Sequence, residues 1–449
     1  MWWTADKVAY RNRDDFVRAY QGTEVIWDKD CKKIFYTSTS GQVITPNTGG
    51  YTDVYIFGAN IVSNTYTNGV GVIEFDGPVT KMERGVDGLF SETDLSSIVL
   101  PQSLVHLQGG QFLMTDLVSL EIPANTTWIG QGLAGRSENL ITITVDPNNT
   151  VYDSRDNCNA IIHTERNTLV AGCNTTVIPN TVEIIGYQAF MGFLGITSLT
   201  LPNSVKIIQA QSFLECNNLR YIDFGSVEVI GSNAFFRNDL VSVDLPSSLR
   251  ELDSLAFCYN YNLSSITVDS NNTVYDSRNN CNAVIETATN KLIQGCSGTV
   301  IPSSVTSIAK YAFYGTGIAS IVIPSSITVI PEYCFYKCNL LTNITLPSSL
   351  TEIGVSAFEG TGLTSVTIPS SVTKIGYSAF ENCSNLTEVI VNCTVPPDLG
   401  LSSTPQTFDN NAPGRLIKVP AASLQDYLTA PGWSIYASSI VATIVIKII

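Results

Sequence analysis

Apolar and polar positions along this chain follow two short phrases that alternate. The first is Leu or Ile, two polar or small residues, then two apolar residues spaced two apart, then Pro. It reads Ile196-Thr-Ser-Leu199-Thr-Leu201-Pro202 and returns from Leu240 to Pro246, Ile318 to Pro324, Leu341 to Pro347 and Leu363 to Pro369, with earlier copies from Leu95 to Pro101 and Leu117 to Pro123. A spacing of two puts the last apolar pair on one face of a β-strand. Pro ends the strand because it has no N–H for the ladder. The second phrase reads Thr181-Val182-Glu-Ile-Ile185-Gly186-Tyr-Gln-Ala189-Phe190, and it recurs up to Phe257, Phe313, Phe358 and Phe380. From Pro to Phe is 11 residues in these copies and in Pro202 to Phe213. One Pro follows the last after 21 to 23 residues, with Gly225 filling one Pro slot.

Such a period predicts a coil that cannot bury its apolar side alone and must stack on its neighbours. The fold class is therefore β-rich with short irregular or helical segments: a right-handed solenoid with a parallel strand ladder, β-hairpin inserts and capped ends. Phe190, Phe213, Phe235, Phe257, Phe313, Phe335, Phe358 and Phe380 are expected to form one interior column. Gly186, Gly231, Gly354 and Gly376 are expected to mark tight reversals.

A longer repeat overlies the short one. Residues 143–190 return at 266–313 with a constant offset of 123. Each copy carries an insert, near 146–176 and 269–299, that reads as a hairpin projecting from its coil, with Asn167 or Asn290 at a turn position that suits positive φ. Cys158 and Cys173 lie equally far from the first turn centre, and Cys281 and Cys296 from the second. A simple register would face each pair across the hairpin and allow a disulfide, whereas a slip of one residue would separate them. Asp146, Asn148, Asn149 and Asp153, with their copies at Asp269, Asn271, Asn272 and Asp276, offer oxygens that could suit calcium, but the spacing matches no EF-hand loop, and Asx turns explain them more simply.

The organisation read from the pattern is an attachment segment at 1–30, with Trp2, Trp3 and Trp27 as attachment candidates; an N-terminal cap with degenerate repeats at 31–90; the solenoid at 91–398; and a C-terminal cap with a terminal strand at 399–449. In that last part, Leu424 to Tyr427 with Trp433 and Tyr436 reads as a short helix with an aromatic cover, and Ile440–Ile449 as a strand that pairs within this chain or with another.

Formal net charge is −15 with only 14% charged residues, a field that repels phosphate backbones and argues against nucleic acid. Eleven Cys without a CxxC pair argue against zinc ribbons. The start shows no secretory signal, and Ile440 to Ile446 is far shorter than a membrane span. The two histidines, His106 and His163, belong to no catalytic motif, and His163 is replaced by Glu286 in the second copy. No catalytic residue, cofactor or metal site is expected. If the strand apolars point inward, Ser198, Thr200, Tyr221, Asp223, Ser242, Asp244, Asn343 and Thr345 are among those facing out. Such a face either binds extended polar ligands such as glycans, or is an inert wall that leaves recognition to the hairpins and termini.

The motifs "IPSSVTSIAKYAF" and "LPSSLTEIGVSAF" resemble the BspA-like leucine-rich repeats of bacterial surface proteins, and "VYDSRNNCNAVIETATNKLIQGC" is similar to a hairpin insert of gut Bacteroides members. The resemblance covers about residues 90–440. It implies a leucine-rich-repeat solenoid, exposed outside the cytoplasm, that serves adhesion or recognition of a protein or glycan without catalysis. The first thirty residues more weakly resemble proteins of phages or prophages infecting gut Bacteroides. They imply an alternative: a structural or receptor-facing virion component, docked on other virion proteins through residues 1–30. Either reading leaves room for an oligomer through the terminal segments.

Overall fold

The computed structural model describes residues 31–83, 88–400 and 406–443, and the backbone of three short antiparallel strands, Lys7–Val8, Arg18–Gln21 and Glu24–Asp28. The chain divides into two compact units, residues 1–197 with 201–218, and residues 198–200 with 219–449.

The first unit opens on an antiparallel sheet with strand order Ile61–Thr67, Val70–Phe75, Lys33–Ser38, Leu95–Val99. Two parallel ladders follow. Ser119–Ile122 pairs with Thr142–Val145, and two-residue rungs at Lys81–Met82, His106–Leu107 and Trp128–Ile129 pair in sequence. Every coil thus contributes one rung from each phrase of the repeat.

The hairpin does not project freely. Its first strand, Ile161–His163, lies antiparallel to Tyr152–Asp153 and to Thr168–Ala171. Thr168–Ala171 then runs parallel to Ile184–Ile185, which pairs with Ile207–Ile208. The insert is therefore built into the short-rung ladder, so its backbone groups are satisfied on both sides. Asn167 has φ 47 and Asn290 φ 55, as the turn requires.

In the second unit Ser198–Thr200, Tyr221–Asp223, Ser242–Leu245 and Ser265–Val268 form a parallel ladder. A second hairpin block repeats the first, with Lys291–Gly295 parallel to Ser307–Ile308. Ser365–Ile368, Glu388–Val391, Leu416–Val419 and Ile440–Ala442 close the unit in parallel, so the start of the terminal apolar run pairs within its own chain. The helix Leu424–Thr429 covers this end. Tyr427 donates to Cys393 O at 2.8 Å, and Trp433 Nε1 donates to Pro397 O at 2.7 Å. Buried polar tips on large rings thereby find partners where the array stops.

The phenylalanines are buried and stacked. In the first unit Phe190 and Phe213 lie 5.0 Å apart. In the second, Phe313, Phe335, Phe358, Phe380 and Phe408 follow one another at 4.9, 5.3, 5.2 and 5.6 Å. The turn carrying each ring is also a backbone ladder: Phe335 N donates to Ala357 O, and Phe358 N to Ala379 O, both at 2.8 Å.

The glycine of the second phrase acts differently from the expectation. Gly186 and Gly376 do not have positive φ. A Cβ on Gly186 would lie 2.7 Å from Leu169 O, and one on Gly376 2.5 Å from Val355 N, so glycine lets adjacent coils approach. Left-handed backbone falls instead two residues before the ring, at Gln188, Gln211, Asn233, Tyr311, Tyr333, Ser356 and Ser378.

Candidate functional site

The ladder of the second unit brings six of the eight outward candidates together. Ser198 stands opposite Tyr221, Thr200 opposite Asp223, and Asp223 opposite Asp244. With Ser242 they line a shallow depression of about 250 Å³. Asn343 and Thr345 are exposed on a separate ladder beside Ser320 and Val322. The two carboxylates have local partners. Asp223 accepts Gly225 N–H at 3.0 Å, and Asp244 accepts the Thr267 hydroxyl. Tyr221 is the sole aromatic side chain in the depression, 52% exposed.

The four hairpin cysteines are free thiols, which corrects the disulfide expectation for Cys158 with Cys173 and for Cys281 with Cys296. The cause is a β-bulge between Ile161 and Ile162, and its copy between Val284 and Ile285. Below the bulge the register advances by one residue, so Ile161 faces Ala171 and Ala283 faces Gly295. Each thiol donates to a backbone carbonyl instead: Cys173 to Asn159 O at 3.3 Å and Cys296 to Asn282 O at 3.2 Å. Elsewhere Cys216, Cys338 and Cys383, three residues after the ring, donate to the carbonyl of the preceding coil's phenylalanine at 2.9, 2.9 and 3.1 Å. Burial pushes these thiols up, to about 12 for Cys216 and about 11 for Cys338 and Cys383.

The Asp/Asn-rich stretch forms Asx turns. Asp146 Oδ1 accepts Asn148 N at 2.9 Å, and Asn149 Oδ1 accepts Tyr152 N at 2.8 Å while its amide donates to Pro123 O and Thr126 O. Asp153 holds Arg155 through two hydrogen bonds of 2.8 and 2.6 Å. Among the described residues no group of three His, Cys, Asp or Glu could hold a metal, and no helix is long and apolar enough to cross a membrane. His106 lies 3.4 Å from Glu83. His163 is half-buried, and burial followed by the nearby Arg166 lowers its pKa.

A feature missed in the sequence reading stands on the turns around the phenylalanines of the second unit. Phe236 and Tyr259 meet at 4.9 Å, Tyr259 and Tyr314 at 5.1 Å, Tyr314 and Tyr336 at 4.8 Å, and Tyr311 and Tyr333 at 5.4 Å. The Arg237 guanidinium lies 5.4 Å from the Tyr259 ring, and the Lys337 ammonium 5.5 Å from Tyr336. The rings are half-buried and Tyr261, beside Tyr259, is exposed. Burial pushes the Tyr259 and Tyr314 phenols up, and Tyr259 N donates to Tyr314 O at 3.3 Å. Tyr259, Tyr311 and Tyr333 have φ of 59, 64 and 55. The signal was present as Y-x-F-Y at 311–314 and 333–336 and F-C-Y-N-Y at 257–261. It escaped because only strand positions were considered as outward.

Of the attachment candidates, Trp2 and Trp3 lie outside the described residues; Trp27 sits on a strand opposite Ala19.

No curated protein matches the chain in sequence. Among solved structures it is similar to a leucine-rich cell surface protein from Faecalibacterium prausnitzii, at 22% identity over 80% of this chain and 86% of that one, TM-score 0.47. It is also similar to the pneumococcal vaccine antigen PcpA, at 16% identity over 86% of this chain and 100% of that one, TM-score 0.49. A leucine-rich-repeat protein from Bacteroides ovatus matches at 18% identity over 78% and 88%, TM-score 0.38. The model of the BspA type leucine rich repeat region matches in six copies, over residues 60–161, 170–286 and 280–387. That is well over half of the chain, and the chain belongs to the BspA-type leucine-rich-repeat family.

Proposed function

We propose that this chain is a non-enzymatic recognition module exposed outside the cytoplasm, and that it holds a protein ligand through the tyrosine patch of its second unit. The observation that carries the reading is the concentration of aromatic rings and two cations on successive turns. Tyr and Arg dominate the energetics of protein interfaces. Three of the tyrosines occupy left-handed backbone, which costs a bulky residue on the order of 1 kcal/mol each. Tyr311 and Tyr333 hold the slot two before the ring, which Gln, Asn or Ser fills elsewhere, and Tyr259 holds the slot two after it, which Gly, Glu, Arg, Lys or Asn fills elsewhere, so stability alone would not select Tyr there. The strand face, polar and nearly free of such anchors, serves as a wall.

The test is adhesion of the full chain to immobilised mucosal extracellular proteins, measured by surface plasmon resonance. Tyr314→Ala with Arg237→Ala lowers affinity by about a hundredfold, as two hot-spot residues do. Thr200→Ala with Asp244→Ala leaves it unchanged. The opposite pattern would place recognition on the strand face and end the proposal.

A further inference from the structure

The first unit holds a groove of about 700 Å³ between the hairpin and the short rungs beside it. That volume lies within the roughly 300–1,000 Å³ of small-molecule sites. Trp128 stands on its wall, 43% exposed. Its partner on the paired rung, His106, is smaller, as is Ile184 at the same place in the next copy of the phrase. A large indole left in water beside a concave surface is the sort of apolar face that a ligand covers.

Several polar groups around the indole are uncommitted, while Tyr152, Tyr187, His163 and Thr168 are held in hydrogen bonds. The side-chain amides of Gln108 and Gln131 have no hydrogen-bond partner among the described residues, and Gln209 uses only its Oε1, on Tyr187 N at 2.9 Å. Arg166 has no ion pair among the described residues, and no carboxylate lines the groove. In a chain of net charge −15, a groove with one guanidinium and no acid is complementary to an anion. Amides that offer a donor and an acceptor side by side match vicinal hydroxyls, and an indole face matches the C–H face of a pyranose.

The duplicated block is an internal comparison. Between 143–190 and 266–313, 30 of 48 positions are identical. The hairpin frame is kept: Asn272, Tyr275, Asp276 and Arg278 repeat the turn, rung and ion-pair bonds of Asn149, Tyr152, Asp153 and Arg155, and only the extra bonds from Thr164 to Asp153 and from Arg155 to Thr181 are lost. The groove wall is not. At the same offset Trp128 becomes Glu251 and Tyr187 becomes Lys310; on the next rung, where the offset falls to 122, Gln209 becomes Pro331, followed by Glu332. Lys310 and Glu332 pair with each other at 2.6 Å. One frame therefore carries an aromatic and amide wall in the first copy and an ion-paired wall in the second.

We infer that the groove formed by Trp128, the three glutamines and Arg166 is a carbohydrate-binding site for an acidic oligosaccharide. A pyranose stacks on Trp128, its hydroxyls bond the Gln108, Gln131 and Gln209 amides, and Arg166 pairs with the carboxylate of an acidic sugar. This site lies beyond the protein-binding reading above and does not depend on it.

The experiment is calorimetry on the full chain with sialyllactose and trigalacturonate as acidic probes, and lactose and maltotriose as neutral ones. The acidic sugars bind more tightly. Trp128→Ala weakens them about thirtyfold, the scale of an aromatic hot spot. Gln131→Ala, at an exposed position, weakens them less, and Arg166→Gln removes the preference over neutral sugars. Glu251→Ala, in the second copy, changes nothing. No heat from any sugar at about 10 mM, far above the range of specific sites, overturns the inference. So does undiminished binding by Trp128→Ala, or an acidic preference that survives Arg166→Gln. Loss of protein adhesion through the tyrosines leaves these readings untouched, so the two proposals fail separately.

Discussion

Phe335→Ala tests what holds the second unit together. The ring is fully buried, stacked 4.9 Å from Phe313 and 5.3 Å from Phe358. A phenylalanine buries about 150–250 Å², and at roughly 25 cal/mol per Å² its transfer is worth about 4–6 kcal/mol as an upper bound. Large-to-small changes of this kind cost about 3–5 kcal/mol once the remaining cavity is included. A loss of about 4 kcal/mol is expected, because the neighbours are held by their own backbone ladders, Phe313 N on Cys334 O and Phe335 N on Ala357 O, and cannot collapse into the gap. Hydrogen exchange followed by mass spectrometry is the assay. At about 1.4 kcal/mol per decade, amides whose exchange requires opening of this coil should exchange nearly a thousandfold faster. Thr345→Ala, on the exposed strand face, should change exchange by less than about 0.5 kcal/mol. If Phe335→Ala costs under about 1 kcal/mol, the shared ring column is not what binds coil to coil.

Asn149→Ala removes four hydrogen bonds, two that tie the hairpin turn to the coil before it and two that close the turn itself; a cost of about 2–3 kcal/mol is expected, since carbonyls and amides lose their partners, read by urea denaturation with Asn148→Ala as the surface control. Native protein should show one rapidly titrating thiol, the exposed Cys31, in a colorimetric thiol assay at pH 8. The thiols pushed up to about 11 or 12 should react only on unfolding, because the thiolate is the reactive form. Asp153 and Asp276 lie below the usual carboxylate range: burial pushes them up, and hydrogen bonds from Arg155 and Arg278 more than offset it. Their stabilisation is fully present above the ordinary carboxylate pKa of about 4 and is lost as pH falls through the lower folded values. Hairpin amides should therefore lose protection on acidification below about pH 4, and Asp153→Asn with Asp276→Asn should flatten that limb.

The fold was legible because a repeat states its core many times over. Each Phe of the second phrase reports the same buried slot, so eight weak signals became one strong one. Other features depend on contacts between coils, which one coil's sequence does not specify. Gly186 and Gly376 looked like turn formers but serve close approach, a property of the neighbouring strand as much as of the glycine. The cysteine pairs matched a simple hairpin register, yet one bulged residue turned each thiol toward a carbonyl. The tyrosine patch was written in the sequence, but its rings belong to turns separated by up to a hundred residues and meet only on stacking.

Family and frame do not decide what is bound, and the duplicated block shows why. Stacking requires every coil to present the same inward set, so change there is felt through both neighbours. Outward positions on the same rungs carry no such constraint. Tyr152 and Tyr275 both accept a backbone N–H from the rung before, Ile129 and Leu252, at 2.9 and 3.2 Å. One residue along those rungs, Trp128 and Glu251 differ in size, charge and hydrogen bonding. A solenoid therefore separates the residues that make it fold from those that choose a ligand. Two adjacent residues on one short strand can fall on opposite sides of that division, and the recognition chemistry of each block must be read from its own outward set.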